Sequence, residues 1–191
     1  APLAPIELAA GVVARLRRRF GLAAGGGLLD RLALLNDRLG AAATPRTAVH
    51  GDLWYGNLLV AGGAISGVVD WEAGDERGEP LRDLVRFALA YALYLDRHTR
   101  PGRPVAGHPR LRAGDFGAGI AYALDGSGWF PELFRAFLVD GLGRLGVPAH
   151  LWRDVALAGV AEVAAGADHD GFALAHLELL RRLLAPVEVR R

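Results

Sequence analysis

Two β-rich stretches inside an otherwise helical chain constrain this fold more than any other feature. Residues 57–60 and 65–69 have strand character, and Ala61-Gly62-Gly63-Ala64 between them makes a hairpin turn. A turn at that place sets the register. Val60 pairs near Ile65, and Asn57 comes to lie near Val68. The open end of the hairpin then collects the polar residues that flank it. On one side these are His50-Gly51-Asp52-Leu53-Trp54-Tyr55-Gly56-Asn57, and on the other Asp70-Trp71-Glu72.

The remaining periodicity is helical. Leu8, Val12, Leu16 and Phe20 recur every four residues and predict a helix over 6–20. Leu28, Leu32, Leu35 and Leu39 predict a second over 28–39, after a Gly-rich break at 23–27. Residues 47–49 read as a short strand and 72–79 as a polar loop. Pro80 suits the first turn of a helix, whose apolar stripe runs through Leu81, Leu84, Val85, Ala88, Leu89, Ala92 and Leu95. A Pro-, Gly- and Arg-rich loop at 98–114 precedes further helices near 116–124, 131–145, 151–165 and 172–184. The expected fold class is mostly α (α+β), with one functional hairpin.

With 191 residues, 52% hydrophobic and 23% charged, the chain can fill one core. A net charge of +1 gives no reason to invoke nucleic acid or a membrane surface. There is no Cys, so disulfides and thiolate metal sites are excluded. Every basic residue is Arg, and Lys, Gln and Met are absent. No apolar run approaches the roughly 18 residues that span a bilayer, and the expected location is the cytoplasm. The sequence indicates no oligomeric state.

Asp52, Asn57 and Asp70 are three oxygen-bearing side chains converging on one end of the hairpin. Oxygen ligands suit Mg²⁺, which keeps several waters and takes one or two protein groups plus phosphate oxygens. Phosphoryl transfer needs little more from a protein. A carboxylate must orient a hydroxyl and accept its proton, and metal-bound oxygens must neutralise phosphate charge.

The run HGDLWYGN, followed by VVDWE, resembles the catalytic loop and metal motif of the aminoglycoside phosphotransferase and choline kinase superfamily, whose fold is related to protein kinases. The resemblance implies that Asp52 is the catalytic Asp and that Asn57 and Asp70 bind the metal. His50 is then the structural His of the loop, and Asp83, in Pro80-Leu81-Arg82-Asp83-Leu84, braces it. It further implies ATP as co-substrate, Mg²⁺, and a small-molecule hydroxyl as acceptor. Leu53-Trp54 is also similar to fructosamine-kinase-type members. Members of the superfamily place a β-rich ATP-gripping lobe and a linker ahead of the loop. Here only forty-nine residues precede His50, they read as helices, and no Lys exists to contact phosphate. The expectation is therefore that residues 1–191 form a helical C-terminal lobe of a protein-kinase-like fold, with the N-terminal lobe absent and no residue assigned to the nucleotide. The leading function is an ATP-dependent phosphotransferase in truncated form. The alternatives are a non-catalytic, pseudokinase-like binding module, and a chain that recruits its nucleotide lobe from another polypeptide.

Other groups carry plainer readings. Trp54 and Tyr55 pack the loop onto the helices or line the acceptor pocket. Glu72, Asp75, Glu76 and Glu79 are a solvated acidic loop or an attraction for a cationic acceptor. Asp168-His169-Asp170 reads as an N-cap with a charged first turn. Arg15 to Arg19 read as a solvated helix face. His98, His108, His150 and His176 have no partners legible in the sequence.

Overall fold

The computed structural model describes residues 2–21, 27–98, 103–112 and 116–185. Seven α-helices occur among them: α1 (Ala10–Phe20), α2 (Leu28–Gly40), α3 (Pro80–His98), α4 (Ala118–Asp125), α5 (Trp129–Arg144), α6 (Trp152–Gly166) and α7 (Asp170–Leu183). The strands are short and form four separate antiparallel pairs. These are β1 (Leu3–Pro5) with β2 (Ala43–Pro45), β3 (Thr47–Val49) with β6 (Asp75–Gly78), β4 (Leu58–Ala61) with β5 (Ala64–Val68), and β7 (Pro104–Val105) with β8 (His108–Arg112). The fold class is mostly α, with small antiparallel pairs. No helix among the described residues is long and apolar enough to cross a membrane.

Helix α6 is the centre of the packing, in contact with α1, α2, α3, α5 and α7. Its sequence explains this. Val155, Ala156, Leu157, Ala158, Val160 and Ala161 are buried on every side of its middle turns, and a stretch of helix apolar all round belongs in a core. The small Ala side chains let neighbouring helices approach closely. The Leu stripe of α2 (Leu28, Leu32, Leu35, Leu39) and Val12 and Leu16 of α1 close the core on one side. Phe130, Phe134, Leu138 and Leu142 of α5 close it on another.

The structure departs from the sequence expectation in three places. The first helix begins at Ala10 rather than residue 6. Residues 3–5 pair with 43–45 instead, and the Ile6 amide donates to Ala42 O at 3.1 Å. The Arg46 amide also donates to Pro2 O at 3.3 Å, and backbone groups engaged with residues 42–46 in this way are not available to a helix. Ile6 and Leu8 still enter the core, which is why the four-residue spacing looked helical across the boundary. Second, the supposed polar loop 72–79 contains β6, which pairs Gly78 with Thr47 and Asp75 with Val49. Its charged side chains are those of an exposed two-stranded edge, where apolar alternation is not required. Third, the part of 98–114 that is described contains the β7–β8 hairpin, turning at Gly107 with φ 77°. Residues 23–26 of the Gly-rich break at 23–27, and residues 99–102 and 113–114 of that loop, lie outside the described residues. The later helices fall within a few residues of their expected limits.

The N-terminal segment is tied to the start of α3. Glu79 accepts the Glu7 amide at 3.2 Å, and Arg46 reaches Glu7 at 2.9 Å and Glu79 at 3.8 Å. Burial raises the Glu79 pKa above the ordinary carboxylate value, and the nearby Arg46 opposes that rise.

Candidate active site

The site is built outward from Asp83, in the first turn of α3. One oxygen of its carboxylate accepts the His50 amide at 2.6 Å, and the other accepts the Gly51 amide at 2.8 Å. Charge-assisted bonds of this kind are about twice as strong as neutral ones. The loop that follows β3 is thus pinned to a helix. Gly51 has φ +82°, and a Cβ there would lie 2.2 Å from Ala73 O, so the position accepts only glycine.

His50 is 2% exposed, and both of its ring nitrogens are engaged. Nε2 lies 2.7 Å from Val69 O, which can only accept, so Nε2 carries the proton. Nδ1 is then free to accept the Asp52 amide at 3.3 Å. Asn57 is buried too. Its Nδ2 donates to Asp52 O at 3.1 Å, and its backbone carbonyl accepts the Val69 amide at 3.0 Å. The hairpin register places Val60 opposite Ile65, and Leu58 opposite Val68. His50 and Asn57 therefore both attach the Asp52 loop to Val69, the residue before Asp70.

Asp70 is exposed and has φ 67°, ψ 55°. Among the described residues it is the only non-glycine with positive φ. A branched-at-Cγ polar residue tolerates this region better than most, but it is still a sparsely populated conformation. Trp71 follows, its ring 4.8 Å from that of His50 and its Nε1 donating to Val68 O at 3.0 Å.

The sequence reading missed Arg86. Its guanidinium lies 2.7 Å from the Asp52 carboxylate, with both side chains a little over one-third exposed. Asp83 and Arg86 are three apart on α3 and so share a face, which was the one available signal. The two residues of this ion pair stand between two cavities and line both. One, of about 520 Å³, runs from Gly51 to α6 and the start of α7, with Arg82, Glu162, Asp168 and His169 on its walls. The other, of about 440 Å³, is walled by Trp54, Tyr55 and Tyr94. Trp54 and Tyr55 thus face a cavity as well as packing on one another and, through Tyr55, on Tyr94 of α3.

The charged groups set aside in the sequence now have places. Arg15 binds Glu162 at 3.0 Å and Arg19 binds Asp170 at 2.8 Å, so these members of the Arg run are ion-paired to the α6–α7 wall rather than merely solvated. Glu162 also faces Arg82 at 3.5 Å. The run at 168–170 does open α7: His169 is the N-cap, without a side-chain capping bond, and Asp170 is the charged residue of the first turn. Glu72, Asp75, Glu76 and Glu79 line neither cavity.

Among the described residues, no three His, Cys, Asp or Glu side chains gather as a metal cluster. Asn57 and Asp70 both carry hard oxygen donors, and the Asn57 carbonyl binds the amide of Val69, the residue before Asp70. Asn57 Nδ2 is engaged with Asp52 O, which leaves Oδ1 as the atom that could meet a cation. Mg²⁺ needs no more than one or two protein oxygens, and donors of this kind suit it.

The pattern of the phosphotransferase enzyme family matches residues 4–118. This chain belongs to that family. The match begins in β1 and ends at the start of α4, so the family resemblance is wider than the motif-bearing stretch 50–84 and takes in α1, α2 and the whole of α3. No curated protein and no solved structure matches this phosphotransferase-family chain.

Proposed function

We propose that the chain is the hydroxyl-activating and metal-holding part of an ATP-dependent phosphotransferase acting on a small-molecule alcohol. The observation that carries this reading is the placement of Asp52. It is a partly exposed carboxylate at the edge of two cavities, on a loop fixed by Asp83 and coupled through His50 and Asn57 to the residue before Asp70.

In this reading the acceptor hydroxyl sits within hydrogen-bond reach of Asp52. Its oxygen attacks the γ-phosphorus, an O–P bond forms, and the bond from that phosphorus to the β-bridging oxygen breaks. The hydroxyl proton goes to Asp52 and then to solvent, and ADP departs. Asn57 and Asp70 would hold Mg²⁺, which supplies charge neutralisation on the phosphate oxygens. Asp83 and His50 keep the Asp52 backbone still, so that orientation is set before the substrate arrives. Arg86 holds the Asp52 carboxylate in one direction and moves from it, or shares it, when the hydroxyl binds.

A second reading, a binding module that performs no transfer, draws support from that same Arg86 contact, which occupies a carboxylate oxygen that an acceptor hydroxyl would have to reach. Calorimetry with Mg²⁺ and ATP on the chain and on Asp70→Ala, followed by an assay of ADP release with alcohol acceptors, separates the two. Mg²⁺-dependent binding lost in the variant, with ADP release that needs an alcohol, supports transfer. Binding without any release favours the module.

A further inference from the structure

A third cavity, of about 420 Å³, lies between α3 and α5. Its walls are almost entirely rings, among them Phe87 and Tyr91 from α3 and Trp129, Phe134 and Phe137 from α5. The polar atoms of the rings at its mouth are turned away from it. The Tyr91 hydroxyl is 3.0 Å from His108 Nε2, and Trp129 Nε1 donates to Gly107 O at 2.7 Å. What remains is bare apolar surface. Trp129, Leu133 and Phe137 are 50%, 56% and 38% exposed, at a spacing of four along one face of α5. An exposed apolar patch of this kind marks a binding surface.

The patch is continuous with the site. Tyr91 stacks on Tyr94 at 6.2 Å with the rings 12° apart, and Tyr94 meets Tyr55 edge-on at 6.1 Å. Tyr94 and Tyr55 are walls of the smaller cavity that Asp52 lines. A track of rings therefore leads from the carboxylate to the apolar cavity. We infer that the acceptor is an alcohol with a ring-bearing, apolar body. Its hydroxyl lies at Asp52, its middle lies over Tyr55 and Tyr94, and its far end fills the cavity between α3 and α5. This rests on the phosphotransferase reading for the identity of the acceptor, and on the rings alone for its chemistry. Among the described residues that line the two cavities of the track, a polycationic acceptor would find no carboxylate beyond Asp52, which Arg86 already faces.

The test uses the full chain and two probes, 6-(2-naphthyl)hexan-1-ol, long enough to follow the rings from Asp52 into the cavity, and the aminocyclitol 2-deoxystreptamine, titrated by ligand-observed NMR. The variants are Leu133→Asp, at an exposed position where the fold tolerates the change, and Tyr94→Ala. The expected result is saturable binding of the naphthyl alcohol, weakened about tenfold or more in each variant, with no binding of the aminocyclitol. The inference is overturned by absent binding, by binding that both variants keep, or by preference for the aminocyclitol. It is also overturned by a concentration-dependent dimer, dissolved by Leu133→Asp, that binds no probe, because the patch then belongs to a second copy of the chain. Assaying ADP release from Mg²⁺-ATP on the same samples tests the other reading apart. Aminocyclitol-dependent release alone keeps the phosphotransferase reading and sinks this inference. The expected binding pattern with no release for any alcohol keeps the ring track and sinks the transfer reading.

Discussion

The guanidinium of Arg86 lies 2.7 Å from the carboxylate of Asp52, and the pair stands between two cavities that both residues line. Arg86→Ala removes a wall residue of both cavities and leaves the carboxylate without this partner. Arg86→Lys keeps the charge but loses the planar fork. In the transfer reading, kcat with a competent alcohol falls at least about tenfold in the Ala variant and less in the Lys variant. Stability changes by no more than about 1 kcal/mol, because the pair is over one-third exposed and screened by solvent. Steady-state kinetics beside a urea melt checks both halves of this statement.

Asp83→Ala removes both acceptors of the His50 and Gly51 amides. Two backbone donors losing a charged partner cost on the order of 2–4 kcal/mol together. Asp83→Asn keeps one acceptor oxygen and loses less. The expected order in denaturant midpoint is wild type, then Asn, then Ala, with Mg²⁺-ATP binding following the same order.

Asp70→Gly distinguishes a functional constraint from a structural one. Asp70 holds a backbone conformation that glycine adopts without strain. The variant should stay within about 1 kcal/mol of wild type, because relief of the left-handed backbone is set against the greater freedom of glycine in the unfolded chain. Its Mg²⁺-dependent nucleotide binding should vanish. A marked loss of stability instead would mean that the Asp70 side chain supports the fold.

At Gly51 the expectation is the reverse. Gly51→Ala pushes a Cβ to 2.2 Å from Ala73 O, whereas Gly62→Ala, at φ +59°, meets nothing within 4 Å. Both pay the left-handed backbone penalty of roughly 1 kcal/mol. Only Gly51→Ala must also displace backbone, so it should lose several times more stability and distort the loop. Equal melting temperatures for the two variants would contradict this.

How much of this could be read in advance depends on whether a signal was local. The hairpin was legible because Ala61-Gly62-Gly63-Ala64 fixes a turn and the turn fixes the register. The helix carrying Asp83 was legible from Pro80 and the stripe behind it. β1 and β6 were not, because each exists only through a distant partner, Ala43–Pro45 in one case and Thr47–Val49 in the other. The Arg19–Asp170 and Arg15–Glu162 pairs span most of the chain, and charge patterning within one helix carries no trace of them. Arg86 lay between these cases. Its spacing from Asp83 put it on the right face, but nothing local said that Asp52 would be opposite.

Acidity offers a further check through Asp96. Its Oδ1 accepts the Gly119 amide at 2.5 Å, while Oδ2 is buried with no hydrogen-bond partner among the described residues. Burial raises its pKa to about 6, against the opposing hydrogen bonds from Gly119 and Ile120. A carboxyl raised in the folded state binds its proton more tightly there than in the unfolded chain. Its contribution is therefore most favourable below about pH 4 and is lost as pH climbs to about 6. Relative to Asp96→Asn, wild type should lose on the order of 1–3 kcal/mol across that window. Denaturant melts of both proteins at intervals from pH 4 to 7 measure the difference, and parallel curves would refute it.

β3 and β6 lie side by side, with Val49 opposite Asp75. The chain thus leaves the helical body and re-enters it at one point, and everything between, including His50, Asp52, Asn57 and Asp70, is a single excursion closed at its base. Such an excursion can be exchanged for another of matching base without rethreading the helices. Its loop carries Trp54 and Tyr55 with it, so a wall of the cavity beside Asp52 would change together with the carboxylate, while the cavity between α3 and α5 would stay as it is.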